Sequence, residues 1–173
     1  MDIELVEAGK EELEAIREMS RLFRYDLSEF KGMPCDESGM FAPIPNLDNF
    51  LEEGNHAFTI RYKKELAGFA LIEGNKVEQK SFIFSYLFIL RKFRRTGLGK
   101  IATIQILNKF RGDWKIDYNT PNTTAMEFWD NIIDAYTGGK YSIAEQNHEK
   151  WGPLKVIKFS NLLTTQSENE NSI

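Results

Sequence analysis

Side chains that cross-link a fold or bind metals are scarce in this chain of 173 residues. A lone cysteine, Cys35, allows neither an internal disulfide nor a cysteine-based zinc site. The two histidines, His56 and His148, lie far apart in sequence and form no spaced ligand pair. The sequence therefore predicts no metal site. Cys35 has no evident activating base beside it in the sequence, so we interpret it as an incidental thiol.

Long apolar runs are also missing. None approaches the roughly 20 residues needed to span a bilayer, and the longest, residues 82–90, suits a buried strand. The first four residues are acidic and lack the basic and apolar stretches of a signal peptide. We therefore expect a cytoplasmic protein that has no membrane partner.

The composition is that of a globular domain, with 42% hydrophobic, 13% aromatic and 28% charged residues. This length suits one domain, which we place at residues 1–161, followed by a polar tail at 162–173 that we expect to be flexible. The net charge of −4 argues against a general nucleic-acid binder.

Hydrophobic periodicity predicts the element order β, α, β, β, β, α, β, α, β, β. Spacing of three or four over residues 13–30 indicates one helix, or two in series. Strands are predicted near residues 3–5, 58–62, 66–72, 82–90, 114–118, 141–143 and 154–159, and helices near 101–110 and 122–136. The predicted fold class is therefore a mixed α/β sheet flanked by helices.

One short segment departs from the acidic balance. Residues 91–100 hold five basic side chains and no acid, so the rest of the chain carries −9. The segment lies between a buried strand and a helix start, and Gly97 and Gly99 let the backbone turn tightly near a ligand. Because helix N-termini favour anions, it is a candidate phosphate or pyrophosphate cradle. The alternative interpretation is a solvated basic connection.

Two other phosphate motifs fit this segment less well. A Walker loop would need a hydroxyl residue after Lys100 and a glycine at position 94, where the chain has Ile101 and Arg94. The spacing of Gly97, Gly99 and Ala102, with Asp117 downstream, has the form of a dinucleotide fingerprint. In that motif, however, the glycines follow the strand directly.

Two motifs resemble those of the GNAT acyl-CoA N-acyltransferases. Arg94-Arg95-Thr96-Gly97-Leu98-Gly99 resembles their (Arg/Gln)-x-x-Gly-x-(Gly/Ala) pyrophosphate loop, and residues 122–129, Asn-Thr-Thr-Ala-Met-Glu-Phe-Trp, resemble their Asn-x-x-Ala-x-x-Phe-(Tyr) helix. Their order and separation also match. The stretches 25–30 and 136–139 are similar to a bacterial branch of predicted acetyltransferases. The resemblance implies a mostly antiparallel sheet that splays at its central strand.

The resemblance also implies how acetyl-CoA, the expected acyl donor, would bind. Backbone groups of Phe88 and Ile89 would bond the pantetheine arm, and Phe128 would pack near the cofactor. Asn122 would contact the pantetheine or the facing loop, although it also suits a helix N-cap. The amides expected to hold the pyrophosphate begin at Arg94 or Arg95 and continue through Thr96, Gly97, Leu98 and Gly99 to Lys100.

The catalytic groups usual in the family are not matched. Tyr86 stands where relatives often hold a glutamate base, and Trp129 stands at the position of the tyrosine acid. An indole N–H does not readily donate its proton to a thiolate, so we consider Tyr141, Tyr136 and Tyr86 as catalytic candidates. Each could instead be a buried aromatic residue. Asp26 lies near the expected substrate loops, where a solvated surface charge is the simpler interpretation.

The sequence thus predicts an N-acetyltransferase that moves an acetyl group from acetyl-CoA directly to a primary amine of a small molecule or peptide. The alternative is a non-catalytic acyl-CoA-binding domain, either a sensor or a degenerate enzyme. The expected partner is an amine acceptor, with no nucleic acid and no metal. Dimers are common in the family, so a homodimer is among the expected assemblies.

Overall fold

The structure, a computed structural model, describes residues 2–75, 80–149 and 152–162. Within these residues, seven strands form one sheet in the order β1-β2-β3-β4-β5-β7-β6. The strands are β1 Ile3–Glu7, β2 His56–Tyr62, β3 Glu65–Gly74, β4 Ser81–Ile89, β5 Asp113–Asn119, β6 Ser142–His148 and β7 Gly152–Ser160. Neighbouring strands are antiparallel except β4 and β5, which run parallel.

Helices connect these strands. They are α1 Lys10–Lys31, α2 Leu98–Lys109 and α3 Thr123–Thr137, together with short 3-10 helices at Leu47–Leu51 and Arg91–Phe93. The apolar spacing of residues 13–30 belongs to one continuous helix. The predicted element order and the mixed α/β class are confirmed. Of the predicted tail, only Leu162 lies within the described residues.

The sheet separates two apolar cores. One core packs β-strand side chains against α2 and α3, and it includes Phe84, Trp114 and Trp129. The other packs the opposite face against α1 and the first 3-10 helix, and it includes Leu13 and Phe88. Because side chains alternate along a strand, β4 contributes to both cores.

A β-bulge interrupts the alternation of β4. Leu71 of β3 pairs with Tyr86, while the next residue, Ile72, pairs with Phe84. Ser85 is therefore the extra residue of β4, and it shifts the side chains that follow by one position. As a result Tyr86 and Phe88 face α1, whereas Leu87 and Ile89 face α2 and α3.

Strands β4 and β5 separate halfway along their length. They pair only from Ser81–Asp113 to Ile83–Lys115, although β4 continues to Ile89 and β5 to Asn119. This confirms the predicted splay at the central strand. The opening leaves one edge of the second half of β4 without a strand partner in the described part of the chain.

No helix within the described residues is long and apolar enough to cross a bilayer.

Candidate active site

The open edge of β4 presents backbone groups of alternate residues. The amide of Leu90 donates to the Ala67 carbonyl of β3 at 2.9 Å. The Phe88 carbonyl also faces β3, because a Cβ added at Gly68 would stand only 2.1 Å from that oxygen. Backbone groups of Leu87 and Ile89 therefore face the opening. Ile89, predicted to bond the pantetheine arm, lies at this edge. The prediction for Phe88 needs correction, since its carbonyl is directed at β3.

The basic loop ends in a helix start whose first amides have no acceptor among the described residues. Gly97 has φ 84° and caps α2, which begins at Leu98. The first bond of the helix runs from the Ile101 amide to the Gly97 carbonyl at 3.1 Å. The amides of Leu98, Gly99 and Lys100 precede that bond, so they have no acceptor within the helix. These amides, together with the helix dipole, form an anion-binding end.

Arg94 links three parts of the structure. Its Nε donates to the Ile89 carbonyl at 2.8 Å, and its Nη2 donates to the Asp26 carboxylate of α1. Its guanidinium also lies 5.4 Å from the centre of the Phe88 ring. The Arg94 amide donates to the Arg91 carbonyl at 3.2 Å. The prediction that this amide holds pyrophosphate is therefore corrected, because the amide is already bonded.

Ion pairs reduce the charge of the loop. Asp26 also accepts from Arg91 Nη2 at 2.7 Å, and Lys92 Nζ lies 2.5 Å from Glu65. Two acids thus offset part of the five positive charges and leave +3. Asp26 is only 21% exposed and is bonded, so it is not the solvated charge expected from the sequence. Within the described residues, no bond or ion pair engages the exposed Arg95 and Lys100.

A close contact brings the second motif to the first. A Cβ added at Gly99 would stand 3.1 Å from Phe128 Cε2 and 3.5 Å from Ile89 Cγ1. The end of β4, the start of α2 and the side of α3 therefore meet at Gly99. Thr96 lies in the same loop, and its hydroxyl donates to the Phe93 carbonyl at 2.7 Å. The structure thus brings both motifs together at the opening.

Asn122 acts as the N-cap of α3. Its Oδ1 accepts from the Ala125 amide at 3.0 Å. Trp129 of the same helix is 7% exposed and lies in the core, 5.0 Å from Phe84 and 5.1 Å from Phe128 between ring centres. This position therefore supplies packing, and the indole does not replace the family's phenol.

Tyr136 lies too far away to act on a ligand at the α2 N-terminus. Its hydroxyl donates to Asn108 Oδ1 at 3.0 Å and accepts from Asn161 Nδ2 at 3.2 Å. Asn108 follows Leu98 by ten residues, which is about 15 Å along the helix. The catalytic prediction for Tyr136 is therefore corrected: its hydroxyl joins the far end of α2 to the residue after β7.

The phenol of Tyr118 lies near Tyr141. The Tyr118 hydroxyl of β5 donates to Asp130 Oδ1 at 2.5 Å, and Lys155 Nζ bonds the other oxygen at 2.7 Å. Burial, then the bond to Asp130, raises the pKa of Tyr118 well above its ordinary value. Tyr141 is half-buried and close enough to add to that shift. The sequence analysis missed Tyr118, because strand periodicity marks it only as an inward-facing residue.

Tyr86 borders a cleft on the other face of the sheet. Its ring packs edge-on against Phe23 at 5.6 Å and Phe50 at 6.4 Å. The cleft has a volume of about 280 Å³ and is lined by Pro45, Asn46, Asn49, Phe50, Asn55, Glu73 and Tyr86. Burial raises the pKa of the Tyr86 phenol, and the Glu73 carboxylate raises it further. Tyr86 is thus neutral at neutral pH and can donate a proton.

Solved structures share this architecture. The ribosomal-protein-S18-alanine N-acetyltransferase of Escherichia coli is 10% identical and gives a TM-score of 0.65 over 98% of this chain and 99% of its own. An acetyltransferase of the GNAT family from Staphylococcus aureus is 12% identical and gives a TM-score of 0.59 over 89% of this chain and 97% of its own. The chain has the GNAT fold. A chimera of the Vibrio cholerae spermidine N-acetyltransferase with hSSAT is 10% identical and gives a TM-score of 0.64 over 93% of this chain and 96% of its own.

The GNAT fold implied by the two motifs is thus confirmed, and the similar structures include N-acetyltransferases. No protein-family model matches the sequence, and no curated protein gives a significant match. Among the residues described, no three histidine, cysteine or acidic side chains cluster as a metal site would require.

Proposed function

We propose that this protein is an N-acetyltransferase that moves an acetyl group from acetyl-CoA directly to a primary amine. The observation that carries the proposal is the meeting of Ile89, Gly99 and Phe128 at the opening of the sheet. A free strand edge, an anion-binding helix start and an aromatic wall together suit a long ligand that has a pyrophosphate at one end.

The residues present fit acetyl-CoA. Loop amides from Arg95 to Lys100 would hold the pyrophosphate, and the side chains of Arg95 and Lys100 would add charge-assisted bonds. Backbone groups of Leu87 and the amide of Ile89 would bond the pantetheine arm, while the Ile89 carbonyl accepts from Arg94. Such a pose would direct the thioester toward the bulge at Ser85. The residue after that bulge, Tyr86, borders the cleft on the opposite face.

The chemistry requires an amine, a thioester carbonyl and two proton transfers. The neutral amine attacks the carbonyl carbon, a C–N bond forms, and the C–S bond then breaks. The departing thiolate takes a proton, for which the phenols of Tyr86 and Tyr141 are the remaining candidates. Holding both reactants at the opening contributes much of the rate in such a transfer.

The similar structures bear on the acceptor. One is named for an alanine of ribosomal protein S18, and another for spermidine. Both names describe primary amines, one of a peptide and one of a small polyamine. We propose the same broad class for this chain. Its acidic remainder of −9 outside the basic loop favours a cationic acceptor over an anionic one.

Calorimetry with acetyl-CoA tests the cofactor site. Gly97→Glu places a carboxylate in the loop and should abolish binding. Gly39→Glu is the matched control, because Gly39 has φ +82° against +84° at Gly97 and both positions are open to solvent. The control should bind like wild type. Equal affinities in the two variants would show that the loop is not the pyrophosphate site.

Thiol release then separates an enzyme from a binding domain. The assay follows free CoA while the protein is mixed with acetyl-CoA and spermidine, L-lysine, an aminoglycoside or an alanine-initiated peptide. We expect turnover with at least one amine. Tight acetyl-CoA binding with no thiol release from any of them would favour the non-catalytic acyl-CoA-binding alternative.

A further inference from the structure

The carboxylate missing from β4 has a counterpart on the neighbouring strand. Glu73 lies near the end of β3 and pairs across the ladder with Ile83, the last residue at which β4 contacts β5. The Ser85 hydroxyl, on the bulge of β4, donates to Glu73 Oε1 at 2.6 Å. Glu73 is therefore fixed beside the point where the sheet opens.

Glu73 also faces the cleft that Tyr86 borders. Among the seven residues lining that cleft, Glu73 is the only one with a carboxyl group, and none is a lysine, arginine or histidine. Asn46 and Asn49 line it beside the first 3-10 helix, and their side-chain oxygens are suitable acceptors for an ammonium group. A small pocket with one carboxylate and amide oxygens suits a single primary ammonium group.

The charges around the Tyr86 phenol come from three elements. Glu73 of β3 and Asp117 of β5 are the acidic residues, and Arg24 of α1 is the basic residue. The Arg24 Nε atom is buried and has no hydrogen-bond partner among the described residues. Asp117 is 2.9 Å from Lys115, so its charge is already paired. Among the described residues, the hydrogen-bond partner of the Glu73 carboxylate is the neutral Ser85 hydroxyl, so Glu73 is the acid available to a ligand.

We propose that Glu73 is the general base of the transfer, and that it receives the ammonium group of the acceptor in the cleft beside Tyr86. This proposal rests on the proposed acetyltransferase function. One proton passes from the ammonium to the Glu73 carboxylate, and the neutral amine attacks the thioester carbon. The C–N bond forms and the C–S bond breaks. The second nitrogen proton ends on the CoA sulfur, and Glu73 releases its proton to water.

The test compares Glu73→Gln with wild type, using the best acceptor found in the amine panel. We expect kcat to fall by about 100-fold or more, as is typical when a general base is lost. The acetyl-CoA Kd should stay within about twofold, because the cofactor site lies on the other face. Glu73→Asp keeps a carboxylate and should recover part of the lost rate.

Glu4→Gln on β1 is the matched control, since it removes the same group from an exposed position at the edge of the sheet. It should leave kcat unchanged. Turnover by Glu73→Gln within about threefold of wild type would overturn the assignment of the base and leave the proposed function intact. Loss of activity in Tyr86→Phe but not in Glu73→Gln would overturn it as well. A wild-type protein that releases no thiol with any amine would count against both proposals.

Discussion

Adjacent arginines in the basic loop should have separable roles. In Arg94→Ala three interactions disappear: the bond to the Ile89 carbonyl, the ion pair with Asp26 and the contact with the Phe88 ring. A hydrogen bond from a charged donor contributes about 1.5 kcal/mol or more. The ring contact adds about 0.5 kcal/mol. The ion pair adds at most about 1 kcal/mol, because Arg94 is 39% exposed and solvent screens it.

The total predicts that Arg94→Ala loses about 2–3 kcal/mol of unfolding free energy, since these interactions stabilise only the folded state. For a chain of this size that corresponds to a fall in Tm of about 4–12 °C. Arg95→Ala removes an exposed side chain that has no partner in the described part of the chain, so its Tm should stay within about 2 °C of wild type. Differential scanning calorimetry measures both values.

Acetyl-CoA affinity should follow a different pattern. Arg95→Ala should bind more weakly, and its affinity should depend less steeply on salt concentration, because a free charge near the pyrophosphate is lost. Arg94→Ala should bind more weakly through displacement of the loop, with its salt dependence little changed. Equal Tm values for the two variants would refute the linking role of Arg94. An unchanged salt dependence in Arg95→Ala would refute its role as a free phosphate-binding charge.

Two further changes test the packing around the opening. Gly68→Ala should destabilise the fold by about 3 kcal/mol, as measured by urea unfolding, because its Cβ would stand 2.1 Å from the Phe88 carbonyl oxygen and force β3 away from β4. A loss of less than about 1 kcal/mol would contradict this expectation. Tyr118→Phe should cost about 1 kcal/mol through the lost bond to Asp130. The folded state holds the Tyr118 proton more tightly than the unfolded state, so this stabilisation is present below about pH 10 and lost as pH rises further. Tyr118→Phe should therefore not lose this unfolding free energy above about pH 10. A loss at alkaline pH equal to that of wild type would refute the role of the Tyr118 hydroxyl.

Local patterns were enough to predict the order of elements and the position of the loop. The alternation of 58–62 and the helical spacing of 101–110 each reflect a single element that buries one face. The glycines at 97 and 99 predicted a tight approach, and the structure adds what each one does. Gly97 adopts a left-handed conformation, whereas Gly99 makes room for Phe128.

The contacts that the sequence analysis missed depend on register and on distant pairs. Whether Phe88 or Ile89 faces the opening depends on which residue lies opposite Gly68 of β3. The bond between Ser85 and Glu73 exists because a bulge places one extra residue in β4. The partnership of Asp26 with Arg94 spans 68 positions in sequence. No periodicity within one element carries such information.

The ion pairs of Asp26 with Arg91 and Arg94 make the basic loop a poor candidate for exchange between related proteins. Helix α1 packs on the face of the sheet that carries the Tyr86 cleft, yet its carboxylate holds two arginines of the loop at the other end of β4. A chimera that exchanges only residues 91–100, or only α1, would leave either an unmatched carboxylate or two unmatched guanidinium groups. Segments that are distant in the gene therefore have to be exchanged together, and α1 and the loop form one engineering unit.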